Sequence, residues 1–372
     1  MRRFGVVVVG LALVLAAPAA VAAEPYAGGW QSPRCGVVDG DGSVSFTRNE
    51  GRAITPTSVP QQAVQYTYDV VPVGSNALLA VDNRGALRTS GDAGCTWTAL
   101  GGVTGLDVPR LTAAGDGSAY VWDQNGLALY RVRGTRVTAL PPVATGWGLG
   151  VAALAVNRDV PSHVRVVLGD GTVRDSHDAG ASFDTTGLPV RDGADLWVYS
   201  ASIDPADLDH ITIGTMGEGV YTTWLGGWQW TRATMGNPGE SVNAFSVAVS
   251  PANPMVVWAQ GINIAEHDAH HPSEGRHVYR STDGGRTFGV AVDHVPGQVT
   301  LVNGALLAPH PTDADVLYFV FGTSFANYGT DLFRVDARRG TLSVAHNDHH
   351  GITSILFNPR DPAVMYLGFA AE

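Results

Sequence analysis

Ser90-Gly91-Asp92-Ala93-Gly94-Cys95-Thr96-Trp97, Ser176-His177-Asp178-Ala179-Gly180-Ala181-Ser182-Phe183 and Ser281-Thr282-Asp283-Gly284-Gly285-Arg286-Thr287-Phe288 are three copies of one octet, S-x-D-x-G-x-[ST]-[WF]. Each fixed position has a mechanical reason. An Asp carboxylate accepts the backbone N–H groups of a tight turn, Gly takes a positive φ that a Cβ would strain, and the closing aromatic packs into the sheet. A repeat of this kind decides the architecture before any single strand does.

Working outward, Ser90 and Ser176 are separated by two units of roughly 43 residues, which predicts a degenerate unit between them. Leu129-Tyr130-Arg131-Val132-Arg133-Gly134 fills that place. A second worn copy, residues 223–230, keeps Gly227 and Trp230 but has Leu225 where Asp belongs. In a third, Leu332-Phe333-Arg334-Val335, only the strand leading into the turn survives. Apolar inner strands are expected to begin near Val64, Val108, Val151, Leu196, Val242, Leu301 and Ile352. Their spacing of roughly 40 to 60 residues is that of a propeller blade of about four short strands. The last start leaves room only for an inner pair, residues 354–357 and 364–367. The missing outer pair is found in residues 43–54, with Thr47, Asn49 and Gly51 in the Ser, Asp and Gly places. The sequence thus predicts an all-β, seven-bladed β-propeller whose last blade is closed by the N- and C-terminal strands, which removes two open sheet edges.

Composition agrees. Of 372 residues 46 are Gly, the acids are 27 Asp against 7 Glu, and no lysine occurs. Glu and Lys build exposed helix faces, whereas Asp and Gly build the turns between strands. Arg2-Arg3, an apolar run from Phe4 to Ala16 and the small residues Ala20-Val21-Ala22 are ordered as in a secretory signal. Residues 1–23 are therefore expected to direct export, and 24–372 to form one extracellular, monomeric domain. No later apolar run approaches the roughly 18 residues of a membrane span. Removing Arg2 and Arg3 makes the chain more acidic than its formal charge of −11, which argues against nucleic acid as a partner. Cys35 and Cys95 are the two cysteines. An even count after export, without a CxxC spacing, favours a disulfide, here a staple from the last blade to the first; two unpaired buried thiols are the alternative.

The octet resembles the Asp-box, or BNR repeat, of sialidase-like, sortilin-like and xyloglucanase-like β-propellers. That resemblance implies that the Ser90, Asp92, Gly94, Trp97 turn and its counterparts (Ser176, Asp178, Gly180, Phe183 and Ser281, Asp283, Gly285, Phe288) lie on one face. Turns between second and third strands, and links between blades, would lie on the opposite face, where ligands bind. The acids expected there are Asp82, Asp123, Asp170 and Glu218. Around a channel they are candidates for a cation site or for the acid and base of a glycoside hydrolase or lyase. Each is also next to or near a turn Gly (Gly85, Gly126, Gly171, Gly219), where Asp is expected for local hydrogen bonding alone. The Arg-Ile-Pro segment of sialidases is absent, Tyr199 and Glu218 being the nearest approach to their Tyr/Glu pair, and the length suffices for one propeller where xyloglucanases use two.

Two further groups fall on that face. His267, His270 and His271 in the insertion 266–274, with His277 after it, and His346, His349 and His350 before the last blade are candidate ligands of a divalent metal, although their spacing matches no zinc motif and the insertion reads as flexible. No cofactor is required by the fold. Gln61, Gln62, Gln65 and Gln298 fall in links and are expected to be exposed. With no lysine present, such a surface could give an acyl donor, never a lysine acceptor, to a transglutaminase.

In size, export, arginine-only basicity and Ala/Gly/Val-rich composition the chain resembles the secreted dispase autolysis-inducing proteins of filamentous actinobacteria. The resemblance implies a non-enzymatic protein that binds neutral metalloproteases, promotes their self-digestion and donates glutamines to transglutaminase. Catalysis by the channel acids is the competing expectation.

Overall fold

The computed structural model describes residues 29–62, 64–143, 150–190, 196–236, 240–321, 329–347 and 351–371; the signal-like segment 1–23 lies outside them. The fold is all-β, a set of small antiparallel sheets built as meanders, with one short helix among the described residues, Ile264–Asp268. A representative sheet runs Val151–Val156, Val164–Leu168, Val173–Ser176, Asp184–Thr186, each strand paired with the next. Inner strands begin at Gln65, Pro109, Val151, Val198, Val242, Leu307 and Gly351. Six of the seven expected starts hold to within two residues. The expected start at Leu301 is corrected to Leu307. Leu301 is fully buried, but in the link before the strand, where its N–H donates to His294 Nδ1 at 3.1 Å.

The octets close as their chemistry requires. Asp283 Oδ1 accepts the N–H groups of Arg286 (3.0 Å) and Thr287 (2.9 Å), Oδ2 accepts the Thr287 hydroxyl (2.6 Å), and Ser281 Oγ accepts the Gly285 N–H (3.0 Å). Asp92 and Asp178 are held in the same way. Gly94, Gly180 and Gly285 have φ of 86°, 87° and 84°, the region Gly alone enters freely. The worn copy at the N-terminus keeps this geometry with other atoms: Asn49 Oδ1 accepts the Ala53 N–H (2.9 Å), Thr47 Oγ1 accepts the Gly51 N–H (3.1 Å), and Gly51 has φ of 86°.

The chain ends share a sheet, as the sequence requires. Val44–Thr47 pairs antiparallel with Met365–Ala371, from Val44 opposite Gly368 to Thr47 opposite Met365. Met365–Ala371 is also paired with Gly351–Phe357 and, at Ala370 and Ala371, with Tyr66 and Gln65. Gly368 is needed at this crossing, since a Cβ would lie 2.9 Å from Thr67 O. Behind the strands, Trp30, Phe46, Leu78, Trp97 and Tyr366 form one buried cluster. Cys35 and Cys95 are joined in a disulfide, Cα to Cα 5.8 Å, directly over it. The remaining core has the same plan, each cluster lying between one meander and the next: Leu79, Val81 and Val121, then Tyr120 and Val166, then Val167 and Ile213, then Val220 and Val257, then Trp258 and Phe319, then Val320 and Phe369.

One buried histidine and the octet carboxyls are the groups through which acid should act on stability. His210 is fully buried, stacked on Trp224 at 3.7 Å between ring centroids, and neither ring nitrogen has a hydrogen-bond partner among the described residues. Burial, then the nearby Arg286, lower its pKa to about 4. Hydrogen bonds from Ser182 and Ser176 hold the Asp178 carboxyl down at about 2. For Asp92 and Asp283 burial opposes ionisation, but the hydrogen bonds closing each turn outweigh it and keep the carboxyls below their ordinary range.

Two measurements follow. The Cys35→Ser/Cys95→Ser double variant should lose about 4 kcal/mol in urea unfolding, the loop-entropy value for closing this span. The unfolded chain protonates histidine near pH 6.5 and the folded chain only near 4, so stability should fall through that window by up to about 3 kcal/mol. Below about pH 4 a second loss should follow as the octet carboxylates, ionised only while folded, take up protons. His210→Phe should flatten the first limb of the Tm profile between pH 7 and 4 and leave the second.

Candidate functional site

The octets join third to fourth strands, and the acids in question lie at the turns between second and third strands, on the opposite face. There they serve the turns. Asp82 is buried, its Oδ1 accepts the N–H groups of Arg84 and Ala86 at 2.9 Å, and Arg88 donates to Oδ2 at 3.2 and 3.3 Å. Asp123, also buried, accepts N–H groups from Asp107, Val108 and Asn125 at 3.0 to 3.1 Å. Asp170 is exposed and accepts the Thr172 N–H at 2.9 Å. Glu218 is half-buried, 3.4 Å from the Arg232 guanidinium. Tyr199 packs beside Phe245, 4.8 Å between centroids. Among the described residues, the cluster of His, Cys, Asp or Glu whose ligand atoms lie within 4.8 Å of one another is His163, Asp175 and His177, and none of these four acids belongs to it.

One carboxyl that the sequence did not single out is Asp69, on an inner strand. Burial raises its pKa against the pull of Arg110, and its Oδ2 accepts the Leu111 N–H from the next sheet at 3.1 Å. Its role is to pin two sheets. No motif announced it, because its partner is a backbone N–H far along the chain.

The insertion 266–274, read as flexible, is ordered. Asn263 caps the helix Ile264–Asp268 by accepting the N–H groups of Ala265 and Glu266, and Glu266 Oε2 is 2.8 Å from the buried His277 Nε2. His271 bonds Ser273 at 2.8 Å, His267 faces Glu274 O at 3.3 Å, and His270 is exposed with φ of 54°. His346 lies 2.6 Å from Asp331, while His349 and His350 lie outside the described residues. Among the described residues these histidines do not assemble a three-ligand group.

Exposure is corrected for two of the four glutamines. Gln65 is 4% exposed, and its Nε2 donates to Asp41 Oδ2 at 2.6 Å. Gln61 is half-buried and donates to Gln65 O (2.7 Å) and Phe369 O (2.9 Å). Both carboxamides bind the N-terminal segment and the last strand to the first blade, since at that crossing a backbone carbonyl and a carboxylate need buried donors. Gln62 and Gln298 are exposed.

The surface carries apolar features as well. At the worn turn 223–230, Thr223 Oγ1 still accepts the Gly227 N–H (3.3 Å), but Leu225 stands 53% exposed where the carboxylate would be, and Trp228 is 59% exposed. Leu188, 55% exposed, is tied beside them by its N–H to Gly227 O at 2.9 Å. A groove of about 600 Å³ between the outer strands Thr287–Asp293 and Thr341–Asn347 has a mixed lining, with Val290, Val295 and Leu342 beside Arg280, Asp293 and Thr341. No helix among the described residues is long and apolar enough to cross a membrane.

No protein-family model matches the sequence. The chain is 44% identical, over an alignment of 375 residues covering 99% of it and 98% of the relative, to the dispase autolysis-inducing protein of Streptomyces mobaraensis. Among solved structures it is similar to the β-propeller YCF48 bound to a D1 peptide (TM-score 0.56, 11% identity, 83% of this chain and 93% of that one). It is also similar to a GH74 enzyme of Niastella koreensis (TM-score 0.58, 15% identity, 82% and 51%) and to an inactive virginiamycin B lyase of Staphylococcus aureus with quinupristin (TM-score 0.56, 10% identity, 82% and 95%). At such identities these structures speak for the propeller fold alone. The identity along nearly the whole of both sequences goes further: this chain belongs to the family of the dispase autolysis-inducing protein.

Proposed function

We propose that the mature chain is a secreted, non-catalytic, seven-bladed Asp-box propeller that binds a neutral metalloprotease and promotes its self-digestion. The observation that carries this reading is the 44% identity across 99% of the chain to a relative named for that effect. Support for the seven-bladed ring comes from the cluster that packs the terminal strands against the first meander, so that the series of intersheet cores returns to its start. Export is supported by the disulfide and by the signal-like residues 1–23.

The worn turn supplies a contact surface of the right character. Where the three intact octets carry a carboxylate loop, this one offers Leu225, Trp228 and Leu188 to a partner, large apolar side chains on a backbone already fixed by Thr223 and Gly227. A propeller with short, closed turns offers a protease few extended segments to cleave, which suits a protein that must outlast its partner. For the transglutaminase reading, Gln62 and Gln298 are the donors that geometry supports; Gln61 and Gln65 are engaged within the fold.

Mixing the mature protein with a neutral zinc metalloprotease should accelerate loss of the protease band and release its fragments while the propeller stays intact. Leu225→Asp restores the missing octet carboxylate. It should leave stability unchanged or raise it by about 1 kcal/mol, and still slow the protease's loss if the turn is the contact. Turnover of a glycan substrate that disappears in Glu218→Gln would instead defeat the non-catalytic reading. With transglutaminase and a fluorescent primary amine, peptide mapping should find label at Gln62 or Gln298 and none at Gln61 or Gln65.

A further inference from the structure

One end of the hairpin Val164–Leu168 and Val173–Ser176 carries ligand chemistry that the binding role does not use. The antiparallel register sets Val164 opposite Ser176 and Arg165 opposite Asp175, and one step further sets His163 opposite His177. Residues two apart on a strand share a face, so His163, Arg165, Asp175 and His177 form a cross-strand quartet. The two imidazoles are 4.4 Å apart between centroids, and His163 Nε2 is 3.3 Å from Asp175 Oδ1. One ligand atom from each of His163, Asp175 and His177 lies within 4.8 Å of the other two.

Arg165 fixes the carboxylate without cancelling its charge. Nearly buried, it binds Asp175 through Nε and an Nη at 2.7 and 2.6 Å, and turns its other Nη to Asp209 at 2.7 Å and Leu208 O at 2.7 Å. Two carboxylates share one guanidinium, so one formal negative charge remains beside two imidazoles. The bidentate grip also holds the Asp175 rotamer, as surrounding hydrogen bonds do for metal-ligating carboxylates.

We propose that His163, His177 and Asp175 Oδ1 bind a divalent transition metal of the Zn²⁺, Ni²⁺ or Cu²⁺ class on the octet face of this meander. Two imidazoles and one carboxylate are a donor set those ions take. Tetrahedral ligands about 2.1 Å from a metal stand roughly 3.4 Å apart, a separation His163 and Asp175 already have. His177 is exposed and its ring lies against that of His163, so a ring nitrogen already stands within 4.8 Å of the other two ligand atoms. The remaining positions on the ion are open to water. The site is distinct from the histidines of residues 267–271 and lies on the other face from them. It goes beyond the protease-binding reading and stands or falls separately from it.

Titration of the mature protein with Zn²⁺ alone, followed by calorimetry and by competition with a chromophoric chelator, should show one equivalent bound and a rise in Tm. His177→Ala alters an exposed side chain, so the metal-free Tm should be unchanged while affinity falls roughly tenfold or more and the Zn²⁺-induced rise in Tm is lost. His271→Ala should bind as the unaltered protein does. With Cu²⁺ the paramagnetic spectrum should show two coupled imidazole nitrogens, reduced to one in His177→Ala. No saturable binding below about 1 mM, binding indifferent to His177→Ala, or binding abolished by His271→Ala would each overturn the assignment.

Discussion

The pairing of Val44–Thr47 with Met365–Ala371 is the constraint on which the rest depends. Each meander buries only the faces it turns to its two neighbours, so a series of them leaves an apolar face at either end unless the ends meet. Here they meet with unusual economy of sequence: four buried residues at the start of the described chain cover the last strand, and Trp30, Phe46 and Tyr366 fill the space beneath. Around that seam are side chains committed to closing it. Gln61 and Gln65 tie the approach segment to Phe369 O and Asp41, Thr353 donates to Thr67 O, and Asn358 donates to Gln31 O. The disulfide adds a covalent link at the same place, where fraying would expose two sheet edges at once.

The octet turn is the second organising element, and its worn copies show which of its parts are structural. Thr47, Asn49 and Gly51 keep the loop with an amide in place of a carboxylate, so the charge is dispensable where the acceptor oxygen remains. At residues 223–230 the acceptor is gone as well, yet Thr223 and Gly227 still fix the backbone. Once hydroxyl and glycine suffice for the turn, the central position is released from structural duty, and an apolar residue there faces solvent. A position that loses its structural role becomes available for recognition without cost to the fold, which is how a repeated scaffold acquires one face unlike the others.

The architecture was legible because its causes are local and periodic. Four fixed residues in eight, recurring at blade spacing, identify the turns, and the shortage of strands at one end points to the other end for the remainder. The disulfide followed from two cysteines placed on either side of that seam. What could not be read were matters of partner rather than pattern. Gln65 looks like any link glutamine until the fold brings Asp41 beside it. Residues 266–274 look flexible because the cap at Asn263 and the anchor between Glu266 and His277 are not apparent from composition. Leu301 looks like the first residue of a strand because it is apolar and buried, properties that a packed link shares. His163 and His177 were missed for a simpler reason: a cross-strand pair carries no fixed spacing in sequence, since the intervening hairpin sets it.

The acids of the opposite face show why burial and charge alone do not make a catalytic site. A carboxylate that accepts two or three backbone N–H groups is occupied by its own turn, and Asp82 and Asp123 are both held this way. A general acid needs its neutral form favoured and its proton facing a substrate. Asp69 meets the first condition, since burial raises its pKa, but its Oδ2 is occupied by the Leu111 N–H of the neighbouring sheet. Among the described carboxyls, hydrogen bonds of the octet turns keep Asp92, Asp178 and Asp283 below the ordinary range, whereas burial raises Asp69 and Asp204, which accept the backbone N–H groups of Leu111 and Ala206. Both arrangements put the acid to structural use.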